Sequence, residues 1–379
     1  MEMTQIAEIV NETTAQVTGT EAVGEIDLNQ VVDAGAEVLE TDKMDHYVKN
    51  LIDRIGKVVF VNRPYTGGTP SVMLDSWEFG AVLEKIQYEG LPEAEDNDTW
   101  DLEDQRSYDP NIFYKPTVSA KFFSERRTFD IPMSFAQRQV KTAFTSAGQL
   151  QAFFSMIETA ISNGMTVKMD SLVEATLNNF ILTTYGDGTA NARVVKLLTE
   201  YAAFTGETAP EAAVALADPN FVRFCAYRMK RKAAQMQKLS TVFNGGGKYR
   251  HTPKDRLHII LHADFTAAAD VYLQSDTFHN EFVSLPKAES VPFWQGSGTA
   301  FAWADTSKII ATPRGADSAV TLSNVVGVMF DRDALGVSNL DRRVTTNWNP
   351  KGEFTNNWYK FDAGYFNDFN ENGVIFVLA

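Results

Sequence analysis

Two histidines four residues apart, His258 and His262, with Asp264 close behind, are the residues of this chain whose types best suit metal binding. On a helix that spacing places both imidazoles on one face, which is the arrangement that a zinc site requires. The intervening apolar run, IIL, instead predicts a strand. On a strand, residues i and i+4 lie about 13 Å apart, too far to share one metal ion. No glutamate follows His258 as a base, so we predict no metal site.

A glycine-rich segment, FNGGGKYR, begins at Phe243 and has the composition of a phosphate-binding loop. The phosphate-loop pattern requires glycine where this chain has Val242, and serine or threonine where it has Tyr249. The segment also follows a predicted helix, whereas a phosphate-binding loop follows a strand. We therefore interpret it as a flexible loop without a nucleotide.

Catalytic signatures are missing from the rest of the sequence. The single cysteine, Cys225, excludes an intrachain disulfide and a multi-cysteine metal site, and we expect it to be a small buried side chain. No nucleophile elbow, dinucleotide-binding fingerprint or kinase signature is present. The sequence therefore predicts a protein that is not an enzyme and that uses no cofactor.

Basic residues are concentrated between positions 222 and 256, where ten of them accompany one acid, Asp255. They are Arg223, Arg228, Lys230, Arg231, Lys232, Lys238, Lys248, Arg250, Lys254 and Arg256. A nucleic-acid patch is one interpretation. The formal net charge of −15 argues against it, because such a surface repels nucleic acid on average. A solvated helix face, or a partner for acidic surfaces of neighbouring subunits, is the favoured interpretation.

The elements that must position these groups include one very long helix. Apolar residues recur every three or four positions from 146 to 185, Ser146 suits its N-cap, and Gly186 follows it. Such a helix spans roughly 60 Å and typically serves as a structural spine. A second helix is predicted to begin at Asp218 and Pro219 and to run to about Gln237.

Two predicted strands, residues 77–90 and 112–129, enclose a segment with eight acids and one arginine. An acidic tip between two β arms cannot bury itself, so the pattern predicts a projecting hairpin that needs a partner surface. A solvated loop is the alternative.

The remaining segments complete a mixed α+β pattern. Residues 1–45 contain eleven acids and one lysine, which predicts an extended or weakly helical arm that cannot fold alone. A short helix follows from Tyr47 to Ile55, and a strand is predicted from Ala192. A strand followed by a helix begins at Arg256, and strands dominate after Asn324. Helices and strands in separate runs indicate an α+β fold, and no apolar run is long enough to cross a membrane.

Two stretches of this sequence resemble the coat proteins of small short-tailed phages, the Picovirinae group. They are HYVKNLIDRIGKVVFV from His46 and FFSERRTFDIPMSFAQRQVKTAFTSAGQLQAFFSMIETAI from Phe122, and the order of segments matches over roughly residues 45–379. The resemblance implies the tailed-phage major capsid fold, named for phage Hong Kong 97. That fold has an N-terminal arm, an extended β-hairpin loop, a peripheral domain with the spine helix, and an axial domain.

The resemblance divides the chain into four parts. Residues 1–60 would form the N-terminal arm and a short helix, and residues 61–131 the extended loop. Residues 132–217 and 324–379 would form the peripheral domain, and residues 218–323 the axial domain. No cross-linking or cleavage site of distant family members can be matched to this sequence.

The implied function is that of a major capsid protein, assembling with itself through hexamers and pentamers into an icosahedral or prolate head around double-stranded DNA. A scaffolding protein and a portal would be partners, the DNA would be held without sequence-specific binding, and no membrane would be involved. Assembly would take place in the host bacterial cytoplasm. The alternative is another virion structural protein, such as a portal or sheath subunit.

By charge, we expect the acidic tip to dock on a basic face of an adjacent subunit, either near Arg228 to Lys232 or near Lys121. The candidate contact residues are Glu93, Glu95, Asp96, Asp98, Asp101, Glu103, Asp104, Lys121, Arg126, Arg127, Arg228, Arg231 and Lys232.

Overall fold

The computed structural model describes residues 3–18, 33, 47, 50, 51, 54, 71–74, 83–88, 94, 100–108, 110, 111, 113–115, 117–187, 192–274, 288–295, 307–313 and 316–379. The helices with described bounds are α1 (Met3–Thr18), α2 (Gln137–Ala143), α3 (Ala147–Gly186), α4 (Leu197–Thr205), α5 (Pro219–Met236) and α6 (Ala263–Gln274). A 3₁₀ turn, Ala215–Ala217, precedes α5.

The described strands are β1 (Met73–Leu74), β2 (Leu83–Tyr88), β3 (Val118–Phe123), β4 (Arg126–Ala136), β5 (Val194–Lys196), β6 (Leu257–His262), β7 (Glu289–Val291), β8 (Ile309–Ala311), β9 (Val320–Leu322), β10 (Val325–Asp331), β11 (Leu335–Asn349), β12 (Phe354–Asn367) and β13 (Gly373–Val377). They form a four-stranded sheet in the order β1-β11-β12-β4 and a five-stranded sheet in the order β5-β13-β10-β6-β7. Two further pairs, β2 with β3 and β8 with β9, are antiparallel.

Helix α3 is the predicted spine, with 40 residues in one continuous run. The Ser146 hydroxyl accepts a hydrogen bond from the Gln149 backbone N–H at 3.3 Å, which confirms the predicted N-cap. Gly164, near the middle, lies against β4. A Cβ atom there would come within 3.0 Å of Ile131 Cδ1, so the glycine lets the strand approach the helix closely.

The five-stranded sheet separates two hydrophobic cores. Because side chains alternate along a strand, neighbours on β6 and β10 point to opposite faces. Ile260, Val328 and Phe330 join the core around α3. Ile259, Leu261 and Met329 join the core around α4, α5 and α6. The sheet is therefore covered by helices on both faces, and its inner strands β13 and β10 are buried along their whole length and mainly apolar.

The four-stranded sheet contains the longest strands. β11 and β12 form an antiparallel pair, and β4 adds to the free side of β12. Pro132 is on β4, an edge strand, and lies opposite Trp358 of β12. Proline is tolerated there because its missing N–H removes no bond from the interior of the sheet.

The amino-terminal segment differs from its prediction. Residues 3–18 form a helix, and Ile6, Ile9 and Val10 are buried in the core around α3. These apolar residues recur with helical spacing, so a small number of them makes one buried stripe. The prediction allowed an extended or weakly helical segment that cannot fold alone; this stretch is helical and packs on the body of the chain, and it is not extended. Most of residues 19–46 lie outside the described part of the chain.

Two strand predictions were also wrong in detail. The strand predicted from Ala192 is only three residues long, because Leu197 and Tyr201, one helical turn apart, turn into the core as part of α4. The strand predicted for residues 112–129 is two strands. β3 pairs with β2, whereas β4 pairs with β12.

The other main elements agree with their predictions. α5 has Asp218 as its N-cap, with the side chain accepting from the Asn220 N–H at 2.9 Å, and Pro219 at its first position. Residues 47, 50, 51 and 54 are helical, as expected for the short helix after the arm. Among the described residues, no helix has the length and apolar character that a membrane crossing requires.

Candidate inter-subunit surfaces

The predicted hairpin is formed by β2 and β3, with Lys85 opposite Lys121 and Leu83 opposite Phe123. One face of this two-stranded ribbon turns toward the body of the chain, where Phe123 is buried. The opposite face carries Ile86, Val118 and Phe122, and all three are more than half exposed. A two-stranded ribbon with one uncovered apolar face needs a covering surface.

Asp368, in the turn after β12, anchors the base of the hairpin. Its carboxylate accepts from Lys121 Nζ at 2.8 Å and from Lys85 Nζ at 3.2 Å, and its side chain is fully buried. Burial alone would raise the pKa of Asp368, but the Lys121 hydrogen bond and the two lysine charges hold that pKa below its usual range. One buried carboxylate therefore holds both strands of the hairpin against the turn after β12.

A second set of contacts reinforces this anchor. Arg250 donates to Gln87 Oε1 on β2 at 2.7 Å and pairs with Glu371 at 3.1 Å. Lys85 Nζ also lies 5.0 Å from the centre of the Phe366 ring, within the range of a cation–π contact. The hairpin base, β2 with β3, is therefore held to the chain's own body by charge and by packing.

The described part of the hairpin tip is acidic and also strongly apolar. Asp101, Glu103 and Asp104 are exposed, as the charge prediction requires of a docking surface. Trp100 beside them is 99% exposed, and Leu102 is exposed as well. The remaining candidates of the tip, Glu93, Glu95, Asp96 and Asp98, lie outside the described residues.

Further along the same segment, Phe113 and Tyr114 are exposed. The sequence interpretation stressed the charge of the tip and missed this apolar content. The signal was present in the letters WDL and IFY, which place large apolar residues in a segment that cannot form its own core.

The basic candidates on α5 have different environments. Lys232 is buried, its Nζ donates to the Ala192 carbonyl at 3.2 Å, and burial lowers its pKa. Arg228 forms an ion pair with Glu200 of the same chain. Arg231 is exposed. Of these three, Arg231 is thus the one whose side chain is displayed on the surface.

The second basic group lies at the end of β3 and the start of β4. Lys121 is engaged with Asp368 within the chain, and its side chain is 39% exposed. Arg126 and Arg127 are exposed on the edge strand. The hydrogen bond from Arg343 lowers the pKa of Asp362 on the neighbouring strand, and the charge of Arg126 contributes to this shift. These two arginines remain predicted contact residues.

A groove of about 460 Å³ opens between α4 and α5. Half of its lining residues are aromatic, and the Phe204 ring lies 5.3 Å from the Phe224 ring and 5.9 Å from the Tyr227 ring, centre to centre. The lining is completed by Tyr201, Thr205, Glu207, Asn220 and Arg223. No pattern in the sequence brought α4 and α5 together, so sequence reasoning missed this feature.

The two histidines have aromatic neighbours. His258 stacks on Phe330, with ring centres 5.9 Å apart, and burial lowers its pKa. His262 packs beside Trp294 at 6.3 Å. Both lie on β6, which confirms the predicted strand. No group of three or more potential metal-ligating side chains occurs within the ranges that the structure describes.

The glycine-rich segment is a closed loop. The Asn244 amide donates to the Lys248 carbonyl at 2.7 Å, and the Lys248 N–H donates back to the Asn244 side chain at 2.8 Å. Gly245 packs near Asp187 and Arg193, where a Cβ atom would meet side-chain atoms at 2.9 and 3.0 Å. Gly245 and Gly246 therefore lie where a side chain would meet neighbouring atoms, whereas Gly247 has open space around it and a φ of +61° that favours glycine. The segment is a loop, as predicted, and the two Asn244 hydrogen bonds close it.

Comparison with known proteins gives a consistent result. The family model described as Phi29-like phage major capsid protein matches residues 6–377. No curated protein sequence matched the chain.

Among solved structures, the fold is similar to a chain in the capsid structure of Staphylococcus phage Andhra. The TM-score is 0.51 at 10% identity, covering 84% of this chain and 88% of that one. It is also similar to a chain in the structure of head fiber and inner core protein gp22 of native bacteriophage P68. There the TM-score is 0.53 at 11% identity, with 83% and 86% covered. These similarities show the tailed-phage capsid fold, as predicted.

Proposed function

Because the chain belongs to the Phi29-like phage major capsid protein family, we propose that copies of it assemble through hexamers and pentamers into an icosahedral or prolate head. The chain is a coat protein of the virion, and coat proteins assemble with themselves into capsids. The ring-based route and the shape of the head are the proposed part. We also propose that the head encloses double-stranded DNA.

The observation that carries this proposal is the anchored hairpin. Its base is fixed to its own chain by Asp368, while its outer face and tip display Ile86, Phe122 and Trp100 to solvent. Large apolar side chains grouped on a projecting element are typical of surfaces that become buried in an assembly. In a ring, each copy has a neighbour whose surface can cover these apolar side chains. Many modest contacts of this kind add up to a stable shell.

Several further parts of the proposal come from the family resemblance and from charge. The partners are a scaffolding protein, a portal and packaged DNA, and assembly takes place in the host bacterial cytoplasm. The net charge of −15 supports DNA contact without tight or sequence-specific binding, because a container wall of this sign does not hold its contents. The role is structural and needs neither catalysis nor a cofactor.

The proposed domains follow the same resemblance, with residues 218–323 as the axial domain and residues 132–217 plus 324–379 as the peripheral domain. The N-terminal arm and short helix take residues 1–60, and the extended loop takes residues 61–131. The anchored hairpin, β2 with β3, belongs to the last of these.

The acidic tip provides a test of the docking surface. Replacing Asp101, Glu103 and Asp104 together by lysine should reduce shell formation roughly tenfold or more at low salt, because the reversed tip repels the basic face of its neighbour. Shell yield is measured by sedimentation and electron microscopy.

The matched control changes three exposed acids elsewhere, Glu211, Asp270 and Asp317, to lysine, and so alters the net charge by the same amount. This control should assemble as the unmodified chain does. Equal shell yields from the two triple variants would contradict docking of the acidic tip.

A further inference from the structure

The apolar tip and the aromatic groove are complementary surfaces that one chain displays at the same time. Trp100 is 99% exposed at the tip, and Phe204 is 68% exposed at the groove. Each is grouped with a second exposed apolar side chain, Leu102 at the tip and Tyr227 at the groove, and exposed apolar patches rimmed by polar residues mark interaction sites. Tryptophan, tyrosine and arginine are also the residue types that contribute most to protein interfaces.

We propose that the tip of one copy inserts Trp100 into the groove between α4 and α5 of a second copy. The inference rests on the proposed self-assembly and goes beyond it, because it names the surface that receives the tip. The groove of about 460 Å³ is large enough to admit an indole ring. Aromatic rings with centres 4.5–7 Å apart attract one another, which is the spacing already present between Phe204 and its two neighbours.

Charge selects the same pairing. Arg223, Tyr227 and Arg231 follow one another at four-residue spacing, so they lie along one face of α5. Arg223 lines the groove, and Arg231 is exposed one turn beyond Tyr227. At the tip, Asp101 and Glu103 stand on either side of Leu102, directly after Trp100 in the sequence. An inserted Trp100 therefore brings the tip carboxylates to the two arginines, and Arg223 can also stack on the indole.

The occupant is a second copy of this chain and not an unrelated peptide. The acidic segment with Trp100, and the aromatic groove with Arg223 and Arg231 along α5, are both present on every copy in a ring. Each copy then gives one tip and receives one, which produces a head-to-tail contact that closes when the ring is complete. Glu207 is also part of the lining, so the basic side of the groove, toward Arg223, is where the carboxylates belong.

Disulfide trapping between copies tests the pairing directly. Chains carrying Trp100→Cys are co-assembled with chains carrying Phe204→Cys, and dimers are counted on a non-reducing gel after mild oxidation. The native cysteine, Cys225, is buried, and each single variant alone reports its background. We expect the 100–204 pair to cross-link at least tenfold more than either single variant.

The control pair combines Trp100→Cys with Met156→Cys, which is exposed on α3. This pair should stay at background. Cross-linking of 100 with 156, with none between 100 and 204, would overturn the inference while leaving self-assembly intact. A second pair, Leu102→Cys with Tyr227→Cys, applies the same criterion if a substitution at 100 or 204 prevents shell formation.

Failure of the proposed function looks different, since the unmodified chain itself would then form no shells.

A second experiment compares two substitutions of Trp100 by their shell yield. Trp100→Phe keeps an aromatic ring and should retain most shell yield, whereas Trp100→Ala should lower it roughly tenfold. Equal yields from these two variants would contradict insertion of the ring.

Discussion

At the scale of single residues, Asp368 is the carboxylate on which the position of the hairpin depends. It binds one lysine from each strand and is fully buried, so its two oxygens have no access to water as a substitute partner. Hydrogen bonds to charged groups contribute more than neutral ones, and a lysine left without its partner near the protein interior is costly. Asp368 therefore links both strands of the hairpin base to the turn after β12.

Removing this charge tests the anchor. Asp368→Asn should lower the free energy of unfolding of the unassembled chain by about 2–3 kcal/mol, because Lys85 and Lys121 lose their shared carboxylate. Chemical denaturation measures the change. The control is Asp341→Asn, an exposed carboxylate paired with Arg343 at 3.1 Å, which should shift stability by less than about 0.5 kcal/mol. Similar effects from both variants would contradict the role assigned to Asp368.

The lowered pKa of Asp368 also predicts a pH dependence. A carboxyl whose pKa is lower in the folded chain stabilises it fully above the unfolded pKa, about 3.9 for aspartate. That contribution is lost as the pH falls through the lowered folded value. The difference in unfolding free energy between the native chain and Asp368→Asn should therefore shrink below about pH 4. Glu371 acts in the opposite direction, because burial raises its pKa and the charge of Asp368 adds to that rise, so its shift is smaller in Asp368→Asn.

At the scale of elements, α3 and the five-stranded sheet hold the molecule together. The sheet needs close contact between β10 and its neighbours, and Gly327 provides it. A Cβ atom at this position would meet Leu261 Cδ2 at 2.5 Å and the Ile260 carbonyl oxygen at 3.0 Å. A backbone atom cannot move aside without disturbing β6, so this glycine is required by packing.

Two glycine substitutions should consequently have opposite signs. Gly327→Ala is expected to destabilise the chain by about 2 kcal/mol through overpacking. Gly148→Ala, in the first turn of α3 with no atom within 4 Å of its added methyl group, should stabilise it by about 0.5–1 kcal/mol through helix propensity. Thermal or chemical unfolding distinguishes them. Stabilisation by Gly327→Ala would show that the sheet has more space than described.

The elements that were predictable from the sequence are those with long, regular apolar spacing. The spine helix, α5 and β12 bury one face, so their apolar spacing is repeated many times, whereas β10 and β13 are buried throughout and appear as continuous apolar runs. β5 with α4, and the division between β3 and β4, were not predictable. Those boundaries depend on which partner strand or core each short segment meets, and that is a tertiary effect.

At the scale of the whole molecule, the candidate surfaces were predictable in part. Composition identified an acidic tip and a basic helix, because charge is visible in the sequence. It did not show that Lys121 and Arg228 have ion-pair partners within the chain, or that Lys232 is buried. The composition also did not indicate that α4 packs beside α5. These features require the folded arrangement, since they join residues that are distant in sequence.

This chain is a coat protein, and we propose that its copies close into a shell through hexamers and pentamers. Electron microscopy of the purified protein, expressed alone and then together with the neighbouring phage genes, tests it most directly. The account predicts closed shells, or rings of six and five copies, in at least one of the two samples. Only small discrete oligomers in both samples would contradict it.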